Sequence, residues 1–128
     1  MNRRKCEVIA ALDVESGSRA LELVEKLSGQ IDYFKVGSRL FTSEGPPLIE
    51  AIRKNNGRVF LDLKFHDIPA TVSGAVRAAC RMGVDMITLH TTGGFEMMRE
   101  AARTAAEVSR KGDNKRPLLV GVTILTSL

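Results

Sequence analysis

At 128 residues, 44% of them hydrophobic and 27% charged, the chain has the size and composition of one soluble domain with a real core. Its net charge is +4, with a pI near 9.4. Lysine and arginine gather only modestly, at Arg3-Arg4-Lys5 and Arg110–Arg116, with no interleaved aromatics and a single tyrosine, Tyr33. That argues against a nucleic-acid partner, which asks for a clustered basic face and a stacking platform, and it suits steering of a small anion. Cys6 and Cys80 are too few for a disulfide framework or a metal site. The apolar run after the basic start is too short and too acidic for a signal peptide, and no run reaches bilayer-spanning length. The expectation is a cytoplasmic protein with no membrane partner.

In chain order, Glu7–Leu12 reads as a buried first strand ending in Asp13. Ser16–Leu27 carries Ala20, Leu23, Val24 and Leu27 at helical spacing, with Gly29 as its stop. Ile31–Gly37 is a short second strand holding Lys35. Pro46-Pro47 opens a helix through Asn55, closed by Asn56-Gly57. Val59–Lys64 is the third strand, followed by a helix from about Pro69 to Arg81 with Gly83 after it. Asp85–His90 is the fourth strand, and Gly93-Gly94 lead into a long helix ending near Lys111-Gly112. After a polar loop over Gly112–Arg116, Pro117–Leu125 forms a strongly apolar fifth strand.

The pattern is four β-α repeats plus one strand, with strand centres stepping by roughly 25 to 35 residues, about one β-α unit. Near-continuous apolar strands suit a parallel sheet covered by helices. Two α/β architectures fit, a doubly wound sheet and part of a (β/α)8 TIM barrel. Polar residues near the C-terminal end of every strand favour the barrel, whose strand ends converge on one mouth: Asp13, Lys35, Asp62 with Lys64, His90, and Thr123 with Thr126. No Gly-x-Gly-x-x-Gly follows the first strand, which weakens a dinucleotide-binding reading. The expected fold is a partial barrel of about five strands and four helices, residues 1–128 forming a single domain.

Val59–Val72 carries the chemistry. Asp62 and Lys64 are two apart, so on a strand their side chains leave from one face, and Asp67 follows beyond the strand end. Two carboxylates and an ammonium in an apolar setting are costly to desolvate unless they pair. The bland alternative is a strand-end salt bridge, with Asp67 capping the next helix. Comparable plain readings hold elsewhere: Asp13 as a loop cap, Lys35 as a solvated strand end, His90 as a structural histidine, and Met97-Met98 and Cys80 as core.

Taken together, the residues resemble the orotidine 5′-phosphate decarboxylase family. The segments are Ala-Leu-Asp at Asp13, Phe-Lys-Val-Gly at Lys35, Asp-Leu-Lys-Phe-His-Asp-Ile-Pro-Ala-Thr-Val from Asp62, Leu-His at His90 and Val-Thr-Ile-Leu-Thr-Ser at Val122–Ser127. Asp-x-Lys-x-x-Asp alone also occurs in related sugar-phosphate enzymes; His66, Ile68, Pro69 and Thr71 make the match close to family-specific. The resemblance implies cofactor-free, metal-free decarboxylation of orotidine 5′-phosphate to uridine 5′-phosphate, the last step of pyrimidine synthesis de novo. By the same match, Lys64 protonates C6 of the pyrimidine, Asp62 sits beside the departing carboxylate, and Lys35 links that network to the ribose. Asp13 matches a nucleoside-binding aspartate and Thr126 a residue near the ring. Asp67, which the match also puts in the catalytic set, enters the partner subunit's site with Ile68 and Thr71, making the family a homodimer.

Elementary chemistry supports those roles separately. Decarboxylation here leaves a carbanion on an sp² carbon that the ring delocalises poorly. Without a cofactor as electron sink, the protein must stabilise that charge and supply a proton, and one preorganised ammonium does both. The set Lys35, Asp62, Lys64 and Asp67 is formally neutral, so its burial is tolerable. Repulsion between Asp62 and the substrate carboxylate is a further, lesser term.

A complete barrel needs about 250 residues, with a floor near 200. Strands six to eight, and the phosphate-gripping arginine and closing loop that the resemblance assigns to that half, are not in this sequence. The chain alone is therefore expected to be incomplete and weakly active or inactive, and, with apolar edge strands, not a well-behaved monomer. Three other readings stay open: a sugar-phosphate relative holding a divalent cation through Asp62 and Asp67, an aldolase with Lys64 as Schiff-base nucleophile, and an inactive half-barrel assembly module.

Overall fold

The computed structural model describes residues 6–112 and 115–128. Arg3, Arg4 and Lys5 of the basic start, and Asp113 and Asn114 of the polar loop, lie outside the described residues. The chain forms two compact units, Met1–Val59 and Phe60–Leu128.

The first unit holds β1 (Ala10–Ala11), α1 (Gly17–Leu27), β2 (Tyr33–Gly37), α2 (Ser38–Glu44) and α3 (Pro46–Lys54). β1 and β2 pair in parallel, Ala10 opposite Phe34 and Ala11 opposite Lys35. The strand expected over Glu7–Leu12 is thus only two residues long, and neither is buried. Two alanines bring little side chain to pack, so the apolar letters Val8 and Ile9 do not extend the ladder. α1 starts where Ser16 Oγ accepts the Arg19 N–H at 3.2 Å, and it buries Ala20 and Val24, one turn apart. α3 starts at Pro46, whose fixed φ suits a first helical position, and buries Leu48, Ile49 and Ile52. Fully burying each isoleucine contributes roughly 2–3 kcal/mol. A Cβ on Gly57 would stand 2.6 Å from Ile52 Cγ2 and 3.2 Å from Phe34 Cδ2, so glycine there is a packing requirement. Arg58 closes the far end of this unit. Its guanidinium binds Glu7 at 2.9 Å and Asp32 at 3.3 Å and lies 4.4 Å from the centre of the Tyr33 ring.

β3 (Arg58–Phe65) begins at the end of the first unit and runs into the second. There it is followed by α4 (Pro69–Met82), β4 (Met86–His90), a 3₁₀ turn (Thr91–Gly93), α5 (Phe95–Lys111) and β5 (Leu118–Val122). β3, β4 and β5 are parallel neighbours in chain order. α4 buries Val72, Val76, Ala79 and Cys80 and ends on Gly83, which takes the left-handed cap at φ 77°. α5 buries Met97, Ala101, Thr104 and Ala105. The two helices pack together, with Ser73 and Thr104 hydroxyls 2.6 Å apart between them. Cys80 is core as expected, and burial pushes its thiol pKa up, away from reactivity. β5 is the apolar edge expected of the fifth strand, but shorter than the expected Pro117–Leu125. Among the described residues it pairs with β4 alone, and Leu118 is 62% and Val120 39% exposed.

The exposed face of α1 offers a pH test. Hydrogen bonds from Lys26 and Arg19 hold the Glu22 carboxyl at about 2, down from 4.5. A depressed folded pKa stabilises fully above the unfolded value and is lost as pH falls through the folded one. Melting curves should therefore show wild type above Glu22→Gln at pH 7, with the gap closing between about 4.5 and about 2. The gap should be small and shrink in high salt, because the pair is solvent-exposed.

Candidate active site

In the second unit, strand alternation fails at the candidate residues of β3. Leu61 and Asp62 are consecutive and both buried, and the β3–β4 register slips between Leu61 and Phe65. Within that bulge Lys64 takes φ 50°, a left-handed backbone that costs a non-glycine residue about 1 kcal/mol. Same-face spacing alone thus did not bring Asp62 and Lys64 together; the bulge re-aims the lysine. Lys64 Nζ lies 2.9 Å from both Asp62 oxygens. Asp62 is 9% exposed, and the Lys64 side chain stays 37% exposed, open to a ligand on one side.

Asp62 has a further partner that sequence reasoning passed over. Thr88, in the middle of β4 and 3% exposed, donates its hydroxyl to Asp62 Oδ1 at 2.7 Å. Thr88 Oγ1 in turn accepts the Lys64 backbone N–H at 3.0 Å. The only available signal was a single polar residue inside the apolar run Met-Ile-Thr-Leu-His.

Asp67, Ile68 and Thr71 are exposed, Ile68 by 65%, around the start of α4. Asp67 Oδ1 accepts the Ile68 N–H at 2.6 Å, while the Ile68 carbonyl accepts from Thr71 and Val72. Thr126 lies in an exposed turn after β5. His90 ends β4, its ring 5.2 Å from that of His66. In the first unit, Lys35 Nζ lies 3.8 Å from Asp13 Oδ1. A shallow cavity of about 200 Å³ opens beside Asp13, between Leu12, Gly37, Arg39 and Leu40.

Comparison with known proteins first gives the class. An orotidine 5′-phosphate decarboxylase from Lactobacillus acidophilus superposes with a TM-score of 0.86 at 33% identity, over 96% of this chain and 55% of that one. The five parallel strands and their helices are therefore about half of a (β/α)8 barrel enzyme fold. The sequence matches the Orotidine 5′-phosphate decarboxylase / HUMPS family over residues 7–128. It is 53% identical over 121 residues to the orotidine 5′-phosphate decarboxylase of Syntrophotalea carbinolica, covering 94% of this chain and 50% of that protein. With that of Trichlorobacter lovleyi the identity is 49% over 123 residues, again covering 50% of the relative. The chain belongs to this family. It spans about half the length of the curated relatives it matches.

Proposed function

We propose that the chain supplies the reacting half of an orotidine 5′-phosphate decarboxylase site, turning orotidine 5′-phosphate into uridine 5′-phosphate in pyrimidine synthesis. The observation that carries the reading is the Lys64 ammonium held on both oxygens of buried Asp62. In this reading the substrate carboxylate lies beside Asp62 and leaves as carbon dioxide, its bonding pair staying on C6. The Lys64 ammonium stabilises that pair electrostatically and then delivers a proton to it, and the amine regains its proton from water. Lys35 ties the charged network to the ribose. Asp13 binds the nucleoside, for which the adjoining cavity is suited, and Thr126 approaches the ring. Asp67, Ile68 and Thr71 serve the partner's site in a homodimer in the cytoplasm, consistent with their exposure. A monomer at assay concentrations in sedimentation would remove that last element.

The occupancy of Asp62 also bears on the metal-dependent alternative, since a cation there would have to displace the lysine. The deciding experiment follows the ultraviolet decay of orotidine 5′-phosphate with purified chain in excess chelator. Decay at an unchanged rate supports cofactor-free decarboxylation. Decay that stops with chelator and returns with a divalent metal sinks it. A borohydride-trapped adduct at Lys64 would point instead to the aldolase reading.

A further inference from the structure

We infer that Thr88 is the positioning residue that sets the working geometry of Lys64, an inference that rests on the decarboxylase reading for its catalytic consequence but not for its structural one. A hydroxyl buried in mid-strand needs partners, and both that it meets belong to the reacting pair: the Asp62 carboxylate and the Lys64 amide. The proton assignment is unambiguous. An amide N–H only donates, so Thr88 Oγ1 accepts from it, and the one hydroxyl proton is left for Asp62 Oδ1.

Each bond has a separate effect. In the bulge the Lys64 N–H sits on Thr88 Oγ1, which fixes the left-handed turn that aims the side chain back at Asp62. The bond to Oδ1 holds the carboxylate so that both its oxygens meet Lys64 Nζ. One hydroxyl thus holds the backbone of the proton donor and the orientation of its counter-charge. Valine has nearly the same shape and supplies neither bond; serine supplies both.

The test compares Thr88→Val, Thr88→Ser and wild type in the full 128-residue chain. Amide hydrogen exchange at Lys64 is read against Leu61 and Ile87, which report general opening of the same strands. Lys64 protection should fall at least about tenfold in Thr88→Val relative to those two amides and be kept in Thr88→Ser. On orotidine 5′-phosphate, Thr88→Val should lower kcat roughly ten- to hundredfold with KM little changed, the size expected for leaving buried partners unsatisfied. Unchanged Lys64 protection in a folded Thr88→Val overturns the inference. If Thr88→Val does not fold, wild type decides: a Lys64 amide that exchanges as fast as the exposed Thr126 amide overturns it, and protection matching that of Leu61 upholds it. If no form turns over substrate, alone or with the other half of the barrel supplied, while exchange still follows the hydroxyl, the decarboxylase reading fails and the structural role of Thr88 stands.

Discussion

Under the proposed reading, Lys64→Ala should abolish whatever decarboxylation of orotidine 5′-phosphate the chain supports, alone or with the other half of the barrel supplied, lowering kcat by about 10⁴-fold or more. The estimate joins the range for a general acid to that for a preorganised charge facing a developing anion, one side chain supplying both. Lys64→Gly should be equally inactive yet more stable than Lys64→Ala by about 1 kcal/mol. The reason is the backbone: at φ 50°, alanine keeps the Cβ clash and glycine has none. Steady-state kinetics and urea melts of the two variants separate the chemical role from the conformational one. Residual turnover within tenfold of wild type would remove Lys64 from the proton transfer. An alanine variant more stable than the glycine one would contradict the left-handed turn.

Asp62→Ala should lower kcat about 10²- to 10³-fold, and the direction of KM tells why. Asp62 accepts from Lys64 Nζ through both oxygens and from Thr88 through one, so its loss frees the ammonium to swing. If holding the ammonium is its main work, kcat falls while KM stays level or rises. If repulsion of the substrate carboxylate dominates, kcat and KM should fall together, since removing the repulsion tightens the ground state. We expect the first pattern, because a preorganised charge acts on the carbanion where the barrier is highest. Fluorescence or calorimetric binding of an unreactive nucleotide would check the KM reading directly.

Much of this arrangement was legible in one dimension. Ala20 and Val24, or Val72 and Val76, repeat at one helical turn and face the core as their spacing requires. Pro46, Pro69 and Gly83 mark helix ends for reasons contained in their own backbones: a fixed φ, and no Cβ. α2 was not anticipated, because Ser38–Glu44 starts on Gly37 without a side-chain cap and buries only Leu40, so it carries neither boundary nor stripe. β1 was overestimated because apolar letters predict burial, whereas a ladder needs a partner in register.

At the site the division is sharper. The sequence by itself determined which residue types are present: two carboxylates and a lysine within six positions, followed by an Ile-Pro helix start and Thr71. Tertiary structure alone decided how they meet. The slip in the β3–β4 ladder, the left-handed Lys64 and the arrival of Thr88, 24 residues along the chain from Lys64, depend on how two strands pair. Periodicity is a property of neighbours along the chain, so it is written in the residues themselves. A bulge is a property of two strands together, and it is fixed only when their side chains find the one register that buries Leu61 and Ile87 and still satisfies Asp62.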